Sequence, residues 1–194
     1  MAKLASLLDK MIVFERFGGG EARLIPLKKE TISQVDLQSI TEVCSQELVG
    51  YWVTHQYASG PDGSYMLQDA EKFVKHADAG WTNATTFVYL IRNADNDIVG
   101  AVDVQSPDPV DAPIGYWADT TGEHRGYMTN AVCSLCELAR EAGYASLIAY
   151  VRPQNKNSVG VLERAGFENK GTAVNPKTLE KMLLFAKNLH KEDR

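Results

Sequence analysis

Cysteine is scarce in this chain: Cys44, Cys133 and Cys136 are three in 194 residues. An odd and sparse set does not build the disulfide framework of a small secreted domain, so a reducing, cytoplasmic compartment is expected. Cys133 and Cys136 have the spacing of a metal half-site. Structural zinc needs four ligands, however, and neither a second Cys-x-x-Cys nor a close His pair completes the set, so no metal is expected. At i and i+3 of a helical pattern the two read instead as small core residues. No apolar run approaches 18 residues, and residues 1–10 are too short and too charged for a signal peptide, so no membrane partner is expected. Excess positive charge is lacking as well. Lys plus Arg number 20 against 25 Asp plus Glu, a net charge of −5, which is the wrong balance for a general nucleic-acid binder. No Gly-x-Gly-x-x-Gly follows a strand, which makes a nucleotide-binding Rossmann domain the least favoured reading, and no internal repeat stands out. What remains is an acidic globular domain of ordinary composition, 44% apolar and 23% charged, long enough to bury its own core.

Periodicity then supplies the elements. Residues 11–17 and 21–27 are strand-like and flank Gly18-Gly19-Gly20, a hairpin turn or link. The spacing of Val35, Leu37, Ile40, Val43, Cys44 and Leu48 predicts a helix over 33–57. After the turn Gly60-Pro61-Asp62-Gly63-Ser64 a second helix is expected over 67–79. Residues 85–91 and 98–104 make a hairpin of strands, and 114–118 is a third strand of the same sheet. Asp119 to Gly126 forms a polar turn that opens a helix carrying Met128, Ala131, Val132, Leu135, Leu138, Ala139 and Ala142 on one face. Arg140 and Gly143 mark its end. Residues 145–151 then read as a buried strand, so strand, helix and strand form a βαβ unit with a parallel pair. A short helix over 154–164 and closing segments from Phe167 and over 179–189 complete the chain; the last of these reads as strand or helix. The fold class is α/β or α+β.

The turn before the second-half helix is where chemistry concentrates. Orphan N–H groups and the positive end of a helix dipole favour an anion such as pyrophosphate, and Gly126 admits close backbone approach. Asn155 is placed as an N-cap with Ser158 three residues on.

Three pieces in order, Ile114-Gly115-Tyr116-Trp117 with His124-Arg125-Gly126-Tyr127-Met128-Thr129-Asn130-Ala131-Val132, then Val151 to Ser158, then Leu162-Glu163-Arg164-Ala165-Gly166-Phe167, resemble the GNAT superfamily of acyl-CoA N-acyltransferases. The nearest branch is similar to the ribosomal-protein serine/alanine N-terminal acetyltransferases. The likeness runs from about Arg23 to the C-terminus and is sharp from Ile114 to Phe167. It implies a GNAT-type mixed, mostly antiparallel, splayed sheet of six to seven strands, with a central parallel βαβ unit and helices on both faces. Residues 21–194 would form a single acyltransferase domain and 1–20 an N-terminal extension or extra strand. It implies acetyl-CoA as cosubstrate, with the pantetheine arm between strand 114–119 and strand 145–151. Backbone groups of Trp117, Ala118 and Asp119 would pair with pantetheine. His124, Arg125, Gly126, Tyr127, Met128 and Thr129 would hold the pyrophosphate, and Asn155 and Ser158 would contact pantetheine. The family's loop begins with Arg or Gln and ends with Gly or Ala, where this chain has Glu123 and Met128. Where many relatives carry a strand-start Glu as general base, this chain has Pro113, with Asp111 two residues before it.

The resemblance implies acetyl transfer to an amine, with Asp111 as a water-mediated base candidate and Ser158 as a candidate proton donor to the leaving thiolate; Asp103 and Asp119 are lesser base candidates. The expected acceptor is a protein N-terminal α-amine, such as that of a ribosomal protein. A small polyamine or antibiotic amine, or a CoA-binding module without catalysis, are the alternatives, and the protein would be a monomer or homodimer. The acceptor face would come from the 60–64 turn, its flanking helices and the 107–113 loop, with Trp52, Tyr57, Tyr65 and Trp81 available to line it and Asp108 and Asp111 to attract a cation.

Overall fold

The computed structural model describes residues 8–121 and 126–190. In chain order the elements are strands β1 (Ile12–Glu15) and β2 (Glu21–Pro26), helices α1 (Gln34–Cys44) and α2 (Leu67–Asn83), strands β3 (Phe87–Asn93), β4 (Ile98–Val104) and β5 (Ala112–Ala118), helix α3 (Met128–Glu141), strand β6 (Ser146–Val151), helix α4 (Lys156–Arg164), and strands β7 (Glu168–Val174) and β8 (Lys181–Asn188). They build one eight-stranded sheet in the order β1-β2-β3-β4-β5-β6-β8-β7. Every neighbouring pair is antiparallel except β5 with β6, the two ends of the β5-α3-β6 crossover. Residues 21–190 contribute seven strands, as expected. The eighth is β1, which the extension adds at the sheet edge. Residues 181–188 resolve as strand, not helix.

Helices cover both faces. The buried residues of α1 (Ile40, Val43, Cys44) and of α2 (Ala70, Val74, Ala77) share one core with Val88, Leu90, Ala101 and Trp117. Those of α3 and α4 share the other with Val102, Val104, Ala112 and Ile114. Strand β3 is therefore buried at every residue, and it reads as a continuous apolar run because neither face meets water. Helix α3 buries Met128, Ala131, Val132, Leu135, Leu138 and Ala139, while its Glu137 and Arg140 pair at 2.8 Å on the outside. Cys136 lies in that core and Cys133 packs beside it, so the Cys-x-x-Cys spacing is a packing feature.

The single helix expected over 33–57 is instead α1 followed by a series of short turns. Ser33 and Asp36 close a capping box that starts α1. The helix stops after Cys44 because Gln46 turns extended (φ −61°, ψ 138°). Its side chain crosses to the end of β5, donating to the Asp119 carboxylate at 2.8 Å and accepting from the Thr120 amide at 2.8 Å. A partner 73 residues away thus overrides local helical spacing. Helix α2 runs four residues beyond its expected end and closes with Ala84 in the left-handed conformation (φ 52°).

Asp69, 3% exposed, organises the approach to α2. It accepts from the Ser59 amide (2.9 Å) and hydroxyl (2.8 Å), the Met66 amide (3.0 Å) and Lys72 (3.0 Å). Burial pushes its pKa up, but these donors outweigh that and hold it below the usual carboxylate range. Its stabilising contribution is therefore complete above the ordinary value of 3.8 and fades as pH falls below it. Asp69→Ala removes the acceptor of two part-buried amide donors, Ser59 and Met66, and is expected to lower unfolding free energy by about 1–2 kcal/mol at pH 7. In urea titrations that deficit should shrink toward pH 3.

Candidate active site

The site begins as a defect in the sheet. The parallel ladder between β5 and β6 contains Ala112↔Leu147 and Pro113↔Ile148 and stops there among the described residues. Beyond that point β5 continues to pair with β4 as far as Ala118, and β6 with β8 as far as Val151. Each strand thus follows its own half of the twisted sheet, and the two diverge. Gln105 N–H donates to Pro113 C=O (2.7 Å) and Asp119 N–H to Val99 C=O (2.9 Å). Odd residues of β5 therefore direct their backbone groups toward β4. By strand alternation Ile114, Tyr116 and Ala118 direct theirs into the gap. Of the backbone groups expected to meet pantetheine, Ala118 is suitably aimed. Those of Trp117 and Asp119 are turned to β4, because a strand cannot present consecutive residues to one side; Tyr116 is the other residue whose backbone groups face the gap.

The gap opens into a cleft of about 910 Å³. At one end stands the start of α3. Tyr127 C=O accepts the first helical bond, from Ala131 N–H at 2.9 Å, so the amides of Met128, Thr129 and Asn130 have no acceptor within the helix. Met128 and Tyr127 each turn their side chains into the core at 7% exposure. The bulky side chain at the loop's last position therefore packs in the core. Gly126 has φ 93°, and a Cβ there would meet Phe17 C=O at 2.9 Å, so glycine is required on both counts. Glu123, His124 and Arg125 lie outside the described residues.

The reacting end divides between the two faces of the sheet. On the α3–α4 face, the Tyr116 hydroxyl lies 2.7 Å from Ser158 Oγ. Burial pushes the Tyr116 phenol up to about 12 despite Ser158 and Arg164 nearby, so it holds its proton throughout the neutral range. Asn155 caps α4 by accepting from the Ser158 amide at 3.1 Å, which fixes Ser158 at the first turn. On the α1–α2 face, Asp103 of β4 accepts from Gly115 N–H at 2.7 Å and from Gln105 Nε2 at 2.9 Å. Burial raises its pKa, with Gln105, Gly115, Lys177 and His76 opposing. The nearby Tyr57 hydroxyl is raised by its own burial and then by the Asp103 charge. A carboxylate with a raised pKa at the cleft wall can accept a proton. A hydroxyl pair across the gap can give one.

Several expectations are corrected. Asp111 does not line the cleft; its amide and carboxylate are bonded to Ser146 Oγ (2.8 and 2.7 Å) at the closed end of the gap. Asp119 is bound by Gln46 and by the Thr121 amide and acts as a strand-end cap. Trp52, Tyr57 and Tyr65 do line the cleft, but Trp81 is core, donating to Val88 C=O and packed against Phe87 and Tyr89. The 60–64 turn stands outside, and only Pro113 of the 107–113 loop reaches the wall. The sequence reading missed residues 175–178, which connect β7 to β8 and overhang the cleft. Lys177 Nζ reaches Gln105 Oε1 at 2.5 Å. Asn175-Pro176 signals a turn, but nothing local says that it crosses to β4. Among the described residues, no three His, Cys, Asp or Glu side chains cluster to hold a metal.

A mixed sheet that parts beside a βαβ crossover, with helix amides at one end and proton-exchanging groups at the other, is the frame of an acyltransferase that uses a long thiol-bearing cosubstrate. The family model for the acetyltransferase (GNAT) domain matches residues 27–168, and the chain belongs to that family. Among solved structures it is similar to Mycobacterium smegmatis RimJ in complex with CoA-disulfide, with 19% identity and a TM-score of 0.75 over 96% of this chain and 90% of that one. The ribosomal-protein-S5-alanine acetyltransferase of Vibrio fischeri gives 17% and 0.71 over 94% and 98%. The microcin C7 self-immunity acetyltransferase MccE, in complex with acetyl-CoA and AMP, gives 18% and 0.67 over 86% and 92%. At such identities these likenesses attest the shared fold. No curated protein matches the sequence.

Because burial raises the Asp103 pKa, the protonated form's stability is intact below about 3.8 and is lost as pH rises through the folded-state value. At pH 7 the ionised carboxylate is a liability. Asp103→Asn keeps the acceptor for Gly115 and Gln105. The variant is expected to raise Tm at pH 7 by about 2 °C in calorimetry, with the gain vanishing below pH 4.

Proposed function

We propose that this protein transfers the acetyl group of acetyl-CoA to the N-terminal α-amine of a protein, in the cytoplasm. The observation that carries the reading is the end of the β5–β6 ladder after Pro113, which turns Tyr116 and Ala118 backbone groups toward a ligand where β6 would otherwise lie. The amides at the start of α3 suit the pyrophosphate. The cleft wall on the α1–α2 face receives the acceptor between Trp52, Tyr57, His76 and the 175–178 overhang.

In this reading Asp103 replaces Asp111 as the base. As the amine nitrogen bonds to the thioester carbonyl carbon, Asp103 takes the proton released from nitrogen, directly or through water. As the carbon–sulfur bond breaks, the Ser158 hydroxyl gives its proton to the departing thiolate, and Tyr116, hydrogen-bonded to Ser158, is placed to replenish it. A single raised carboxylate is a modest base, and this selects among acceptors. At pH 7 about a tenth of a protein α-amine is already neutral, against about 4 in 10⁴ for lysine. Positioning can supply much of the remaining acceleration for an α-amine. The likeness to ribosomal-protein acetyltransferases in fold supports the same choice.

Thiol release from acetyl-CoA is the test, with peptides bearing free Ser or Ala N-termini, the same peptides blocked at the N-terminus but carrying lysine, spermidine and an aminoglycoside. Turnover is expected with free N-termini alone. Turnover confined to spermidine or the aminoglycoside would overturn the acceptor, and tight CoA binding without turnover on any amine would overturn the catalytic reading. Within the active enzyme, Asp103→Asn should lower kcat/KM by about a hundredfold and abolish the acidic limb of its pH profile. Ser158→Ala should lower kcat by about tenfold with little change in KM for acetyl-CoA.

A further inference from the structure

We infer that Arg16, carried by the N-terminal extension, is a phosphate contact for CoA. The inference rests on the acetyl-CoA-dependent reading above and names a source of positive charge additional to the loop's own Arg125. The position that resembles the family's Arg or Gln is Glu123. A chain of net charge −5 must gather cations locally to hold a pyrophosphate and a ribose phosphate.

The last residues of β1 bring one to the right place. Phe17 N–H donates to Gly126 C=O at 3.1 Å, and Asn130 Nδ2 donates to Glu15 C=O at 2.6 Å. The backbone on either side of Arg16 is thereby clipped to the loop and to the first turn of α3. Between these clips the Arg16 guanidinium stacks on Tyr127, with Cζ 5.0 Å from the ring centroid. It passes so close to Gly126 that a Cβ there would lie 3.5 Å from Arg16 Nε. A guanidinium carries five N–H donors, so it can meet a phosphate oxygen alongside the Tyr127 ring and its other partners. Arg164 of α4 reaches Thr129 Oγ1 at 3.2 Å. Two arginines from distant parts of the chain therefore reach the segment from Gly126 to Thr129 that opens α3.

The extension is built to hold that position. Leu8 is fully buried, its carbonyl accepts from the Tyr89 hydroxyl, and Lys10 pairs with Glu141 of α3. The register Ile12↔Leu24 through Glu15↔Glu21 then runs the strand up to Arg16. An edge strand needs none of this to satisfy its own backbone, and β1 carries a cation to the start of α3. The extension thus completes the cosubstrate site.

Isothermal titration of wild type, Arg16→Gln and Arg16→Lys with CoA and 3′-dephospho-CoA, and ligand-observed NMR with pantetheine, test this. Arg16→Gln should weaken CoA about tenfold and flatten its salt dependence, leave pantetheine unchanged and keep the wild-type Tm; Arg16→Lys should recover part of the loss. Equal CoA affinity in wild type and Arg16→Gln, or an equal loss for pantetheine, overturns the assignment. Wild-type protein that takes up neither CoA nor pantetheine overturns the acetyltransferase reading beneath it. A second measurement needs no variant. The Arg16 Nε–H resonance of the wild type should move on adding CoA and stay on adding pantetheine, and a resonance unmoved by saturating CoA overturns the inference.

Discussion

Two neighbouring parallel strands that bond for two residues and then part impose an unusual demand on a folded chain. Buried backbone amides are almost always paired, and leaving one without a partner costs about 1–3 kcal/mol. Strand β5 cannot escape by turning toward β4, because alternation already commits its odd residues there. Its even residues must face the side from which β6 departs. The sheet tolerates this because both flanks are closed: β4 pairs along the length of β5 to Ala118 on one side and β8 along β6 on the other, over the cores beneath the helices. The gap is thus held open by two well-packed halves, and a cosubstrate rich in amides suits it.

In the proposed mechanism that same gap divides the chemistry. Asp103 and Trp117 belong to the face covered by α1 and α2, whereas Tyr116 and Ser158 belong to the face covered by α3 and α4. In an intact sheet a layer of backbone would separate acid from base. Where the strands part, one group can serve the incoming amine and the other the departing sulfur. Their pKa values are moved by the same cause, burial, upward in each case. For the carboxylate this brings proton affinity closer to neutrality. For the phenol it guarantees a proton to share.

Much of this was legible in the sequence, and the rest was hidden for identifiable reasons. The strands, the βαβ unit and the cap at Asn155 follow from local periodicity and spacing, and residues 181–188 needed only their strand partners to settle as strand. The parting of β5 and β6 was implied by the family resemblance, since no residue in either strand announces it. The base was sought along the chain, at Asp111, but that residue, immediately before β5, is carried out to Ser146. The cleft carboxylate of the proposed mechanism comes from the adjacent strand, where Asp103 is cross-strand partner to Gly115. Gln46, residues 175–178 and Arg16 act through partners that sequence distance conceals.

The most direct test of the parted ladder is amide hydrogen exchange at single-residue resolution, with and without acetyl-CoA. Gly115 and Trp117, paired to β4, should be protected in both states, while Tyr116 and Ala118 should exchange faster in the free protein and become protected when acetyl-CoA is added. Tyr116 and Ala118 amides already as slow as their neighbours without ligand, or unchanged when it saturates the protein, would contradict the account.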